Sequence, residues 1–266
     1  MLLTGDLGYQ LFDSFQDSFP GRFLNVGVAE AQMMAAAAGL AVEGYKPIAY
    51  SIASFATARP FEQIRYCIGY PKLPVVIVGA GRGLLYGPSG VSHHAMDDVA
   101  LMSSIPGMTV VLPGDKEELS ALLPQLITLD SPSYMTVGRY GEPTYFAEDE
   151  PRLGRCRLLR PGEKMVLFTS GEITCEVVEA VDQLNRSGLF PKAYQVHTIK
   201  PLDTECLDRE AKAAEVFIVI EEHLPHGGLW SALTQWKAER NSPIRMVRIG
   251  PPDVFFLGNK KREEYR

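Results

Sequence analysis

Leu73-Pro74-Val75-Val76-Ile77-Val78 is a short, β-branched run with no polar alternation, the pattern of a strand covered on both faces. A strand of that kind belongs in a parallel sheet with helices on either side. Outward from it, further strands are expected at 23–26, 48–52, 108–112 and 134–137, with helical segments at 55–70, 97–104 and 116–129. Strands alternating with helices at this spacing indicate an α/β domain built on a mainly parallel sheet. From 146 to 163 the pattern lapses into a charged, proline-bearing stretch that includes Ala147-Glu148-Asp149-Glu150-Pro151. A second, smaller α/β unit follows, with strands at 165–169, 192–196, 216–220 and 244–249 and helices near 172–187, 204–214 and 227–239. The expected architecture is therefore two consecutive three-layer α/β domains, 1–147 and 163–266, joined by a linker at 148–162.

The 23–26 strand leads directly into Gly27-Val28-Ala29-Glu30-Ala31-Gln32-Met33-Met34-Ala35-Ala36-Ala37-Ala38-Gly39, a run of strong helix formers between two glycines. Its neighbours along the helix are apolar, so the helix reads as hydrophobic nearly all round and therefore buried. Glu30 is its one ionisable residue. Burial opposes a carboxylate's charge, whereas a place in the first helical turn favours the anion. Opposed influences of this kind are common at proton-handling groups. The alternative is a first-turn glutamate on a half-exposed helix, satisfied by nearby amides.

Composition narrows the function classes. A net charge of −6 argues against a general binder of nucleic acid or anionic membranes. No apolar run approaches the length of a membrane span, and the first residues lack the basic and apolar regions of a signal peptide, so a cytoplasmic location is expected. Cys67, Cys156, Cys175 and Cys206 lie far apart in sequence and read as reduced thiols, neither a disulfide frame nor a zinc site.

Three loops could carry chemistry. Gly79-Ala80-Gly81-Arg82-Gly83 follows a strand but lacks the dinucleotide fingerprint, because Leu84 stands where glycine is required. Its glycines read better as close approach to a bound group, or simply as loop flexibility. Ser92-His93-His94 ends that loop, and either imidazole is a candidate, since open α/β sheets place ligands at strand ends. His197, His223 and His226 read as structural imidazoles, and the five histidines have no zinc-site spacing. Glu221-Glu222-His223, followed by Gly227-Gly228, marks either a site or a sharp turn.

These residues resemble the thiamine diphosphate-dependent transketolase family, and more narrowly the separate C-terminal subunit of a split transketolase. The resemblance rests on Arg22 through Glu30, Ala38-Gly39-Leu40-Ala41, Ser54 through Arg65, Ser92-His93-His94, Ile105 through Val110, Lys200-Pro201-Leu202, and Glu221-Glu222-His223 with Gly227-Gly228. It spans essentially the whole chain, with the motifs in order. It implies a pyrimidine-binding domain followed by the family's C-terminal domain. Glu30 matches the glutamate that hydrogen-bonds N1′ of the aminopyrimidine, favouring the imino tautomer that removes the thiazolium C2 proton; the cofactor does the hard chemistry and the protein tunes a proton. Ile52, Phe55 and Ala58 fall where the family walls the pyrimidine ring, with Phe55 the one aromatic among them. Asp6 matches an aspartate near the cofactor. His93 matches the loop histidine beside the substrate's first carbons, and Arg139 the arginine that grips a distal phosphate.

Departures bear on substrate. Ser89, in Gly87-Pro88-Ser89-Gly90, stands where sugar-phosphate transketolases usually carry an aspartate that reads a hydroxyl. A further family histidine would fall near Gly81, where Arg82 is the adjacent polar group. Both changes point away from ordinary ketose-phosphate specificity.

The family's Gly-Asp-Gly…Asn motif, which holds Mg²⁺ and through it the cofactor's diphosphate, is missing. The resemblance thus implies half an active site, with Mg²⁺ (or Ca²⁺) and the diphosphate held by a partner subunit carrying Gly-Asp-Gly, in an α2β2 assembly. The expected reaction is transfer of a two-carbon ketol unit from a ketose to an aldose-type acceptor. The alternatives are 1-deoxyxylulose-phosphate synthesis, a 2-oxoacid dehydrogenase E1 β-type role, or a non-catalytic scaffold. The charged tail at 259–266 is expected to be a solvated terminus.

Overall fold

The computed structural model describes residues 1–139, 141, 143–145, 147 and 149–265. The strands are β1 (Leu2–Thr4), β2 (Phe23–Asn25), β3 (Ile48–Ile52), β4 (Val76–Ala80), β5 (Thr109–Val111), β6 (Ser133–Val137), β7 (Arg157–Arg160), β8 (Met165–Thr169), β9 (Lys192–Gln195), β10 (Thr198–Lys200), β11 (Val216–Ile220) and β12 (Arg245–Ile249). The helices are α1 (Asp13–Ser18), α2 (Glu30–Val42), α3 (Ala53–Thr57), α4 (Phe61–Gln63), α5 (Asp98–Ser103), α6 (Lys116–Thr128), α7 (Thr174–Arg186), α8 (Thr204–Glu210) and α9 (Leu229–Glu239). They form two α/β units with mostly parallel sheets. The first sheet has the order β10-β5-β6-β4-β3-β1-β2, and the second β12-β11-β8-β9-β7.

The β-branched run becomes β4 at the centre of the first sheet, paired in parallel with β3 and β6. It begins three residues later than the sequence suggests, because Pro74 has no amide to give to a ladder, and it runs on through Gly79-Ala80. Met33, Met34, Ala37 and Ala38 of α2 pack on one face with Leu3, Ala49 and Ile77; on the other, Leu122 and Leu126 of α6 pack on Val76, Val78, Val111 and Met135. In the second unit, Val177, Val178 and Val181 of α7 cover one face, while residues of α8 and α9 cover the other around Phe168 and Phe217.

Several expectations are corrected. The helix expected at 55–70 is broken into α3, α4 and a π-helical turn, Ile64–Gly69; Pro60 lacks the donor a continuous helix would need. Helix α2 does not stop at Gly39 but continues to Val42, since burial of Ala38 and Ala41 outweighs the ~1 kcal/mol that a mid-helix glycine costs. It is also not buried all round: Gln32, Gly39 and Val42 are exposed. Strand β7 forms inside the stretch read as linker, of which Glu148 lies outside the described residues, as does Phe146 just before it. It pairs antiparallel with β9. Strand β10, in the second half of the chain, crosses over to pair antiparallel with β5 at the edge of the first sheet.

Phe217 is fully buried, edge-on to Phe168 at 4.8 Å and stacked on Trp236 at 5.9 Å. Phe217→Ala is expected to cost about 3–5 kcal/mol through lost contacts and the cavity left behind. Urea unfolding followed by tryptophan fluorescence checks this; a change below 1 kcal/mol would mean that the second unit's core does not depend on this aromatic stack.

Candidate active site

The residues expected at the site converge on the carboxyl ends of the first sheet's parallel strands, where open α/β sheets bind ligands. Asp6 follows β1, Glu30 follows β2, Ile52 closes β3, Phe55 and Ala58 lie in and just beyond α3, the 81–94 loop follows β4, and Arg139 follows β6.

Glu30 is the first residue of α2, and only 4 % of its surface is exposed. No side chain caps the helix at Ala29. The partner of Glu30 is Arg59, whose Nη1 lies 3.2 Å from Oε2 and 3.4 Å from Oε1. Arg59 remains about half exposed (49 %), and its guanidinium carbon lies 3.8 Å from the centroid of the Phe55 ring, a cation–π contact. Phe55 in turn meets His93 edge-on at 4.9 Å, His93 meets Tyr86 at 5.9 Å, and the Arg139 guanidinium lies 4.2 Å from the centre of the Tyr86 ring. A continuous array thus runs from the buried carboxylate through Arg59, Phe55, His93 and Tyr86 to a second guanidinium.

His93 is half-buried, with Nδ1 3.0 Å from Ser92 Oγ. Burial, reinforced by the charges of Arg59, His94 and Arg139, pushes its imidazole below the usual histidine range, so the ring is neutral at physiological pH. His94 is buried, with Nε2 3.4 Å from the Gly87 carbonyl oxygen and its ring against Tyr265. Of the two candidate imidazoles, it is therefore His93 that joins the array. Asp6 has left-handed backbone (φ 57°) and is tied to Asn25: its amide donates to Asn25 Oδ1 at 3.0 Å, and Asn25 Nδ2 donates to Asp6 Oδ1 at 3.1 Å. The same Asn25 oxygen accepts the Gly27 amide, so one side chain fixes the turns after β1 and β2 together. Ile52 is half-buried, Ala58 exposed, and Ser89 exposed in the 3₁₀ turn Gly87–Ser89.

Arg82 departs from its expected place. It is 2 % exposed and sits between the two units, 3.9 Å from Asp98, 3.8 Å from Glu172 and 3.3 Å from the carbonyl oxygen of Glu222. Its charge is committed to these acids and not to the cleft. Burial alone would weaken that charge, but Asp98, Glu172 and Glu222 outweigh it and hold the guanidinium firmly protonated.

The metal expectation can be tested on the donors present. Among the described residues, one group has metal-binding spacing: Cys156, Asp203 and Cys206, with ligand atoms within 4.8 Å of one another. It lies outside the array, and its thiols are poor partners for Mg²⁺, which takes oxygen ligands. The fold therefore brings together two cysteines that are remote in sequence; the hydrogen bond to Cys206, together with burial, keeps the Cys156 thiol protonated. Sequence reasoning also assigned no task to Tyr86, to the Arg59–Glu30 pair or to the 259–265 tail, which packs onto the 81–94 loop instead of extending into solvent.

Comparisons with known proteins agree over both units. The family model described as "Transketolase, pyrimidine binding domain" matches residues 5–140, and "Transketolase, C-terminal domain" matches 154–264. The chain is 36 % identical over 242 residues to the 6-deoxy-6-sulfo-D-fructose transketolase subunit of Clostridium sp. (strain MSTE9), covering 91 % of this chain and 75 % of that one. It is 34 % identical over 260 residues to the 1-deoxy-D-xylulose-5-phosphate synthase of Chlorobium luteolum, covering 96 % of this chain and 40 % of that protein. A solved structure described as "Split gene transketolase, inactive beta4 tetramer" superposes with a TM-score of 0.88 at 35 % identity, covering 97 % of this chain and 84 % of that one.

The His93 ring is expected to titrate below 6.5 in an NMR pH series. Arg59→Gln should move the midpoint only part of the way back, because burial contributes more than the Arg59 charge. A midpoint at or above 6.5 in the unaltered chain would place His93 outside this buried, cation-flanked setting.

Proposed function

The chain belongs to the transketolase family, with that family's pyrimidine-binding and C-terminal domains, and on that premise we propose that it is one subunit of a split, cytoplasmic transketolase. Its reaction is transfer of a two-carbon ketol unit from a ketose, free or phosphorylated, to an aldose-type acceptor. The observation that carries this reading is the buried Glu30 carboxylate, linked through Arg59 and Phe55 to His93 and Arg139.

The family depends on thiamine diphosphate, which when bound supplies the nucleophilic carbon that carries the ketol unit. The residues present fit its pyrimidine end. Glu30 is a desolvated carboxylate suited to hold a proton-exchanging hydrogen bond at N1′, and Phe55 offers an aromatic face beside it, with Ile52, Ala58 and Asp6 on the same rim. Arg59 covers both groups and has to turn aside for them to serve, which a half-exposed side chain can do. His93, neutral and steadied by Ser92, is placed to exchange a proton with the substrate's oxygens. Arg139 offers its planar donors to the far, anionic end of a sugar phosphate, and Ser89 offers a hydroxyl where a carboxylate would select differently.

The diphosphate and Mg²⁺ do not fit this chain, since no oxygen-ligand cluster accompanies the array among the described residues. We assign them to a partner subunit carrying Gly-Asp-Gly, in an α2β2 assembly. Exposed apolar side chains at the site support such a partner: Val91 is 51 %, Val254 53 % and Phe255 80 % exposed, and all three line the same cavity as Phe55 and Arg59, an apolar rim of the kind that a partner covers. The relatives named a transketolase subunit and a split gene transketolase point the same way. A second reading, 1-deoxyxylulose-phosphate synthesis, is favoured by the 34 % identity to such a synthase across 96 % of this chain.

Calorimetry with thiamine diphosphate and Mg²⁺ tests the half-site. Tight binding is expected only when the chain is mixed with a partner carrying Gly-Asp-Gly; tight binding by the isolated chain would sink the division of the site. In the assembled enzyme, Glu30→Ala should lower turnover by about 10²–10⁴-fold, the usual contribution of proton transfer, while leaving partner binding intact. Unchanged turnover would favour a scaffold.

A further inference from the structure

The charged segment at the end of the chain folds back over the loop that follows β4. Arg262 Nε donates to both carboxylate oxygens of Glu222, at 3.1 and 2.9 Å. Both side chains are largely buried, at 13 % and 4 % exposure. Glu222 Oε1 also accepts the Leu84 amide at 2.8 Å. The carboxylate therefore joins the tail to the start of the loop through two charge-assisted hydrogen-bonding groups, the stronger kind.

The loop's glycines record how closely these parts approach. Gly83 has φ +63°, and a Cβ there would lie 2.3 Å from Glu222 Oε1; a Cβ on Gly87 would lie 2.5 Å from the Lys260 carbonyl oxygen. Neither position has room for a side chain, so the tail and Glu222 press directly on the loop backbone. Further along, Tyr265 meets His94 edge-on at 5.7 Å, and its hydroxyl donates to the Gly258 carbonyl oxygen at 2.6 Å. Upstream of the tail, Val254, Phe255 and Phe256 line a cavity of about 300 Å³ together with Phe55, Arg59 and Ser92.

We propose that Glu222 and Arg262, both from the second unit, are positioning residues that hold the Tyr86–Ser89–His93 loop of the first unit in place for substrate. Neither residue belongs to the Glu30–Arg139 array. They act through the loop backbone, at Leu84 and Gly87, on the side chains this loop presents. The inference rests on the proposed function for its kinetic consequence, but not for its structural one.

Arg262→Ala and the conservative Arg262→Lys separate the two. In the full chain mixed with its partner, hydrogen exchange of amides 84–94 should quicken by about 10-fold or more in Arg262→Ala and recover in part in Arg262→Lys, as expected when one charged anchor of a loop is lost. The acceptor KM should rise by about 10-fold, with cofactor affinity unchanged, because a loop misplaced by ~1 Å costs that much or more. Unchanged exchange in 84–94 overturns the proposal whatever the activity. Faster exchange with unaltered KM and kcat overturns the positioning role. An unaltered assembly with no ketol-transfer activity counts against the proposed function, and the exchange measurement then decides the tail's hold on the loop by itself.

Discussion

Buried ion pairs lock the two units together: Arg157 of β7 reaches Glu118 of α6 at 3.3 Å, and a second cation that water hardly reaches, Arg82, sits at the loop after β4. Arg82 leaves the first sheet at the carboxyl end of β4 and meets Asp98 from its own unit, with Glu172 and the Glu222 carbonyl from the other. Taking a guanidinium out of water costs several kcal/mol unless opposite charges surround it. The acids that answer it here come from both units, so that cost is offset only in the docked arrangement. Asp98 is further held by the Tyr134 hydroxyl, which donates to it at 2.7 Å; burial still pushes the Asp98 carboxyl above the usual range. The network thus acts less as a source of stability than as a condition on geometry, since any other docking would strand a buried charge.

That condition places the carboxyl ends of both sheets against each other. The turns after β8 and β11 carry Glu172 and Glu221-Glu222-His223, and they abut the loop after β4. Burial drives the His223 ring down to about 3, so it contributes no charge that would compete with Arg82. Strand β10 adds a second joint, with Lys200 Nζ donating to the Ser103 and Ile105 carbonyl oxygens. The loop that carries His93 is consequently supported on one side by a buried ionic cluster. Its two ends are tied to each other, with Gly83 and Ala95 exchanging amide-to-carbonyl hydrogen bonds at 2.8 and 3.0 Å, and Val91 and Ser92 line the cavity beside Phe55 and Arg59. Preorganised support beneath accessible reagents is what a site of this kind requires.

The regular parts of this architecture were legible because their signals are periodic or compositional. β3, β8 and β11 fall where the sequence indicates them, each a dense apolar run between helical stretches. β7 and β10 were not legible. They are four and three residues long, carry Arg or Lys, and exist because β9 and β5 offer unpaired edges, a fact about partners and not about the strands themselves. The site divides in the same way. Glu30 could be singled out because one acid interrupts an apolar helix. Spacing alone left His93 and His94 both open, because which ring turns inward is not written in adjacent positions; the family resemblance pointed to His93, and in the fold His94 is the buried ring while His93 meets Phe55. Arg82 was misplaced for a related reason: a cation in a glycine-rich loop reads as accessible until the acids that bury it, up to 140 residues away, are brought beside it. The tail failed likewise, since a charged terminus reads as solvated unless a buried Glu222 is known to wait for it.

The array around Glu30 has a consequence for assembly. On the proposed reading this chain grips one pole of the cofactor, and a second chain grips the other. A ligand that touches both must tighten their association by the same factor by which association tightens the ligand, because the coupling free energy is shared. A ligand held at 100 times its dissociation constant would then stabilise the joined state by about 2.7 kcal/mol relative to separated chains. Arg59 opposes part of that gain, because its ion pair with Glu30 and its stacking on Phe55 must be given up first. The lone chain is therefore not an open half-site waiting for cofactor. Its own guanidinium covers the carboxylate, and on the proposed reading a ligand reaches Glu30 and the Phe55 ring only by moving that side chain aside.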